Sequence, residues 1–204
     1  TSAKEFLHLK TEAVIEYEIT ANRVDAASHI GVARDLYAYL KSNGQPCSFS
    51  YPDVSAYVDG EGEAIPVEVL DHSAAPRYIG ITIRGVKVAP SPEWLQKKLT
   101  SIGLHPVNNI VDISNFVLFE LGQPLHTFDA AKIGGSKVIV RRAAEGEKMV
   151  TLDGIERTLK PEDIVIADES RPMCIAGGFG GLESGVSDST TDGVRECAYF
   201  DPGS

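Results

Sequence analysis

Closely spaced cysteines are missing from this chain. Cys47, Cys174 and Cys197 lie far apart, and no C-x-x-C occurs. An odd, scattered set excludes a disulfide framework and reads as reduced, mostly buried thiols. There is no H-E-x-x-H, which leaves zinc hydrolysis without its usual ligands. There is no G-x-S-x-G, so a serine-hydrolase elbow is unsupported. The glycine run AGGFGG at 176–181 is not followed by Lys-Ser/Thr and lacks the full G-x-G-x-x-G pattern. It is therefore neither a phosphate-cradling loop nor a dinucleotide fingerprint. No apolar run is long enough for a spanning helix, so no membrane partner is expected. The opening residues TSAKEFLHLKTEA carry no basic stretch followed by an apolar one. No secretory leader is expected there, and the expected location is cytoplasmic.

Positive charge is also scarce, with 29 acidic against 19 basic residues and a net charge of −10. Nucleic-acid affinity comes mainly from phosphates neutralised by Lys and Arg. The balance argues against a free-standing RNA- or DNA-binding domain, although contact with a single nucleotide end is compatible with it.

What is present is an ordinary globular composition, 43% hydrophobic over 204 residues, enough for one large domain spanning 1–204 with no internal repeats. AVIEYEIT at 13–20 alternates apolar and polar residues, which predicts a half-buried strand. From Val24 onward, Ile30, Ala33, Leu36, Tyr37 and Leu40 recur at helical spacing until Asn43-Gly44 and Pro46 stop the pattern. Residues 45–76 read as a long irregular connection with one short strand in IPVEVL. RYIGITIRGVKV at 77–88 predicts a strand with Ile79, Ile81 and Ile83 on one face. SPEWLQKKLTSIG predicts a short helix with Ser91 as N-cap, Pro92 in the first turn and Gly103 at the C-terminal cap. NIVDISNFVLFELG predicts a helix whose apolar face holds Ile110, Val117, Leu118, Leu121 and also Ser114, ended by Gly122 and Pro124. The last third is strand-rich: KVIVRRA, a hairpin around Asp153-Gly154, DIVIAD, MCIAGG and VRECAYF. The fold class expected is α+β, with mixed or antiparallel sheets packed with helices.

Candidate chemistry concentrates in three places. His126 follows the end of a predicted helix in QPLH, where an imidazole is either a polar surface residue or part of a site. AGGFGG is either a tight turn or a stretch of backbone opened to a ligand, since glycine permits close approach. Glu196 shares a strand face with Val194 and Ala198. A carboxylate among small apolar neighbours faces water at an edge or is held in a pocket.

Five segments occur in order: ANRVDAASHIGVARDL, NNIVDISNFVLFELGQPLHTFD, TLDGIERTLKPEDIVIAD, IAGGFGGLESGVSDST and ECAYFDP. Together they resemble the tRNA-editing domain of the β subunit of bacterial-type phenylalanine–tRNA ligase, over essentially the whole chain. The resemblance implies an excised piece of a longer subunit that hydrolyses tyrosine wrongly esterified to tRNA(Phe). It implies Glu196 as acceptor of the tyrosine phenol, and His126 as the group that orients water or the terminal ribose. It also implies Ala176, Gly177 and Gly178 as the small-residue pocket wall, with Ser114 and Asn115 as substrate-binding residues. Ser114 stands where the family often has threonine, and His105 where relatives commonly carry arginine. No metal or cofactor is implied for this piece; ATP and Mg belong to the parent enzyme. The implied partners are the 3′ end of tRNA(Phe), the ligase α subunit and the remaining β-subunit domains in an α₂β₂ assembly. The alternative is a non-catalytic module of the same synthetase that packs or binds the tRNA end. The expectation to test is that Glu196, His126 and Ser114, with the backbone at Gly177, line one concavity.

Overall fold

The computed structural model describes Phe6, residues 13–16 and residues 18–203. Three helices and nine strands are ordered α1 (His29–Ser42), β1 (Val67–Val69), β2 (Arg77–Ile83), α2 (Glu93–Ser101), α3 (Asn109–Leu121), β3 (His126–Asp129), β4 (Val138–Arg142), β5 (Lys148–Val150), β6 (Glu156–Thr158), β7 (Ile164–Ala167), β8 (Pro172–Ile175) and β9 (Gly193–Tyr199) among the described residues. This is the α+β class that the sequence pattern predicts.

Two sheets form a sandwich. One has the order β2-β9-β3 and is antiparallel throughout. The other has the order β1-β4-β7-β8, with β1 and β4 parallel and the remaining pairs antiparallel. Directly opposed residues in a ladder share a face. The registers therefore put Tyr78, Gly80, Thr82, His126, Phe128, Val194, Glu196 and Ala198 on one side of the three-stranded sheet. That side meets Val138, Val140, Ile164, Ile166, Met173 and Cys174 of the four-stranded sheet, and Phe128 and Val194 are completely buried in the shared core. The far side of the four-stranded sheet, with Val165 and Ala167, is covered by Met149 and Leu159 of the β5–β6 hairpin. Helix α3 lies on the opposite side of the three-stranded sheet, where Arg195 reaches Ser114 and the Ile110 carbonyl.

Local signals explain the helices. Ser28 caps α1 by accepting from the Gly31 N–H, and Asn108 caps α3 by accepting from Ile110 and Val111. Gly122 ends α3 in the left-handed region at φ 79°, which costs a residue without Cβ nothing.

Several expectations are corrected. The described residues of 13–20 form no strand, and Tyr17 lies outside the described residues. Among the described residues no neighbouring strand offers them a ladder, and Ile15 is largely exposed. Ser91 is not the cap of α2; Pro92 occupies that position, and the Ser91 hydroxyl instead donates to the buried Asp112 carboxylate. Strand β2 stops at Ile83 rather than running to 88. Its isoleucines do share a face, but it is the outer, partly exposed one. The inner face is taken by Tyr78, Gly80 and Thr82, and Val67 comes so close there that a Cβ at position 80 would lie 2.8 Å from Val67 Cγ2. The segment beginning at His126, placed by the sequence only as following a helix, is a strand.

Candidate functional site

Strand β9 positions the site. Its inward residues flank a carboxyl, and its two neighbours supply the groups around it. His126 on β3 and Gly80 on β2 are both directly opposite Glu196. Glu196 is only 7% exposed. Its Oε2, the Nε2 of His126 and the hydroxyl of Tyr78 are all buried without a hydrogen-bond partner. Buried polar atoms are nearly always paired, so three orphans on one sheet face mark a place built for a polar visitor.

Electrostatics follow from this burial. Loss of water pushes the Glu196 carboxyl up to about 7, a shift that the neighbouring Tyr78 hydroxyl tempers. The His126 imidazole is held below its ordinary value by burial and by the Arg195 guanidinium, which keeps it neutral at neutral pH. Burial, then the nearby Glu196, pushes the Cys174 thiol up to about 12, so it is an inert core thiol. The imidazole ring stands edge-on to Phe128, with centroids 4.6 Å apart, which fixes its plane. A neutral imidazole with a free nitrogen can accept a proton or orient a hydroxyl. A carboxyl poised near 7 can accept or donate. No trio of His, Cys, Asp or Glu that could hold a metal occurs among the described residues.

The glycine-rich segment approaches from the side. The Cys174↔Gly180 bridge and the Gly181 N–H bond to the Met173 carbonyl fold 176–181 back along β8. A Cβ on Gly180 would lie 2.9 Å from His126 Cε1 and 3.0 Å from Leu152 Cδ1. The glycine that borders the imidazole is therefore Gly180. Ala176 packs at the rim of the shared core, while Gly177 and Gly178 sit on an exposed turn.

Ser114 is not brought to Glu196 and His126. Its hydroxyl accepts from Arg195 Nη1 at 3.0 Å on the other side of the sheet, because alternation along β9 sends Arg195 outward and Glu196 inward. The single concavity expected for Glu196, His126 and Ser114 is thus split by the sheet. Asn115 is half-buried, one residue further along α3. The sequence did not single out Tyr78 or Leu152, and within AGGFGG the resemblance pointed to Ala176, Gly177 and Gly178 rather than Gly180. An interior strand glycine, Gly80, was the available sign that something crosses above β2.

A β subunit of phenylalanine–tRNA ligase from Bacteroides fragilis is 52% identical over 203 residues, covering 99% of this chain and 25% of that protein. The corresponding subunit from Porphyromonas gingivalis is 53% identical over 201 residues, covering 98% of this chain and 24% of that protein. The chain thus spans about a quarter of the length of these curated relatives. An N-terminal fragment of the phenylalanyl-tRNA synthetase β subunit from Pyrococcus horikoshii shares the fold, with TM-score 0.53 at 15% identity, covering 89% of this chain and 54% of that one. Residues 74–204, which hold both sheets apart from β1, match the B3/4 domain, and the chain belongs to that family.

Proposed function

We propose that this chain is the editing part of a phenylalanine–tRNA ligase β subunit and hydrolyses tyrosine esterified to tRNA(Phe) by water attack. The observation that carries the reading is the pairing of Glu196 and His126 directly across two strands, each buried with an open polar atom. Tyrosine is phenylalanine plus a hydroxyl, and an apolar synthetic pocket rejects an added hydroxyl only about a hundredfold. A site that hydrogen-bonds the hydroxyl discriminates by roughly 10⁴, because phenylalanine would leave a buried acceptor unpaired. Glu196 is that acceptor. His126, neutral and with a free Nε2, orients the attacking water or the terminal ribose hydroxyl. No metal or cofactor takes part in this step. ATP and Mg serve the aminoacylation site of the assembled ligase, whose other partners are the α subunit and the remaining β-subunit domains.

The acidic surface supports a division of labour in which other parts of the ligase hold the tRNA and only its 3′ end enters here. The test is deacylation by the assembled ligase carrying this chain, with Tyr-tRNA(Phe) and Phe-tRNA(Phe) as parallel substrates. Faster release of tyrosine supports editing. Equal, uncatalysed release of both supports the second reading, a packing or tRNA-end-binding module. That second reading is favoured by the burial of Glu196, which leaves its carboxyl only slightly exposed.

A further inference from the structure

Tyr78 is the third unpartnered polar group on the sheet face that carries Glu196 and His126. It lies on the inner face of β2, diagonal to Glu196: Gly80 is opposite Glu196 and Tyr78 is opposite Ala198. Diagonal partners on one sheet face are within reach of an aromatic side chain. Tyr78 Cε1 comes to 3.9 Å from the point where a Cβ on Gly80 would lie. The ring therefore lies beside the glycine, and the influence of Glu196 on its hydroxyl puts the two groups near each other. The Tyr78 hydroxyl is a buried donor with no acceptor, and Glu196 Oε2 is a buried acceptor with no donor.

We propose that Tyr78 is a positioning residue for Glu196: when the site is occupied, its phenol turns to donate to one carboxyl oxygen and leaves the other for the hydroxyl of the substrate side chain. A carboxylate has room for both donors, since its two oxygens offer about four lone-pair sites. Gly80 leaves space beside the ring. The protein's own phenol thus fills one half of the carboxyl, and the site accepts a single further hydroxyl. This rests on the editing reading and specifies how that site selects.

The groups that face Glu196 are Tyr78 and Cys174, with His126 opposite on β3 and Cys197 next in the chain. Tyr78 holds the carboxyl's proton affinity down, against the effect of burial. Its own hydroxyl is pushed above the ordinary phenol value by burial and by Glu196, so it remains protonated and able to donate.

The test is Tyr78→Phe in the assembled ligase, with kcat and KM for Tyr-tRNA(Phe) and Phe-tRNA(Phe) deacylation measured across pH 5.5–8.5. This variant keeps the ring that fills the core and removes one oxygen. The expected result is a fall of about tenfold in kcat/KM for the tyrosyl ester, the size of one charge-assisted hydrogen bond, carried mainly by KM. The tyrosyl-to-phenylalanyl ratio falls with it, and the acid limb of the tyrosyl profile moves to higher pH. In a Glu196→Gln background, Tyr78→Phe should add nothing to the loss of ratio. A folded Tyr78→Phe enzyme whose ratio and acid limb match the parent's would overturn the proposal, as would an equal effect of Tyr78→Phe in both backgrounds. If Glu196→Gln alone leaves the ratio at the parent value, the editing role of Glu196 fails, and the positioning role falls with it.

Discussion

Replacing Glu196 by Gln should stabilise the protein, and only at higher pH. The carboxyl is 7% exposed and its Oε2 has no donor. Burial raises it from 4.5 to about 7. A folded-state value above the unfolded one means that the native protein binds the proton more tightly. The stabilisation is therefore complete below pH 4.5 and is lost as pH rises through about 7. The shift corresponds to about 3 kcal/mol between those limits, at about 1.4 kcal/mol per pH unit. Gln is nearly the same size and never ionises. The difference in unfolding free energy between Glu196→Gln and the parent should grow by about 3 kcal/mol from pH 4.5 to pH 8.5. His126 titrates in the opposite sense. Its depressed value gives stability that is present above the ordinary imidazole range and lost as pH falls. It is retained in both proteins and largely cancels in the difference. Urea unfolding at half-unit pH steps measures the curve. A difference that stays flat between pH 5 and pH 8 would refute the reasoning, because it would mean that Glu196 is hydrated in the folded chain.

Gly180→Ala should press a methyl group against the His126 ring, where the distance to Cε1 would be 2.9 Å, and lower tyrosyl-ester hydrolysis while circular dichroism stays native. Gly181→Ala meets backbone instead, 2.5 Å from the Met173 carbonyl oxygen; it should destabilise the fold by about 1–3 kcal/mol, read in a denaturant melt. Ser114→Ala leaves Arg195 Nη1 without its hydroxyl partner and should cost about 1–3 kcal/mol of stability. Because Ser114 lies across the sheet from Glu196, that variant should keep the tyrosyl-to-phenylalanyl ratio, as measured by parallel deacylation.

Elements whose signals are local were legible in the sequence. Asn43-Gly44 ends α1, Gly122 ends α3, and Asp153-Gly154 turns the β5–β6 hairpin, each through chemistry that acts within a few residues. Strand β3 was not legible. His126–Asp129 is four residues long and carries no alternation, and it is a strand only because β9 pairs with it. The opposite error occurred at 13–20, where good alternation meets no partner among the described residues. The partial burial of Ser114 followed from its place among Ile110, Val117 and Leu118. Which side of the sheet that helix covers depends on tertiary packing, which helical periodicity does not encode. Glu196 and His126 could be named from resemblance, but their direct opposition is a matter of register. Tyr78 and Gly180 enter the site only through neighbours distant in the chain.

The central claim is that Glu196 selects and His126 assists the chemistry. It is tested most directly by deacylation of Tyr-tRNA(Phe) and Phe-tRNA(Phe) by the assembled ligase carrying Glu196→Ala or His126→Ala. Glu196→Ala should slow the tyrosyl ester by about ten- to a hundredfold, the value of a hydrogen bond to a charged group, and collapse the ratio between the two esters. His126→Ala should slow both esters and leave their ratio near the parent's. Equal slowing of both esters by Glu196→Ala, with the ratio intact, would contradict the account.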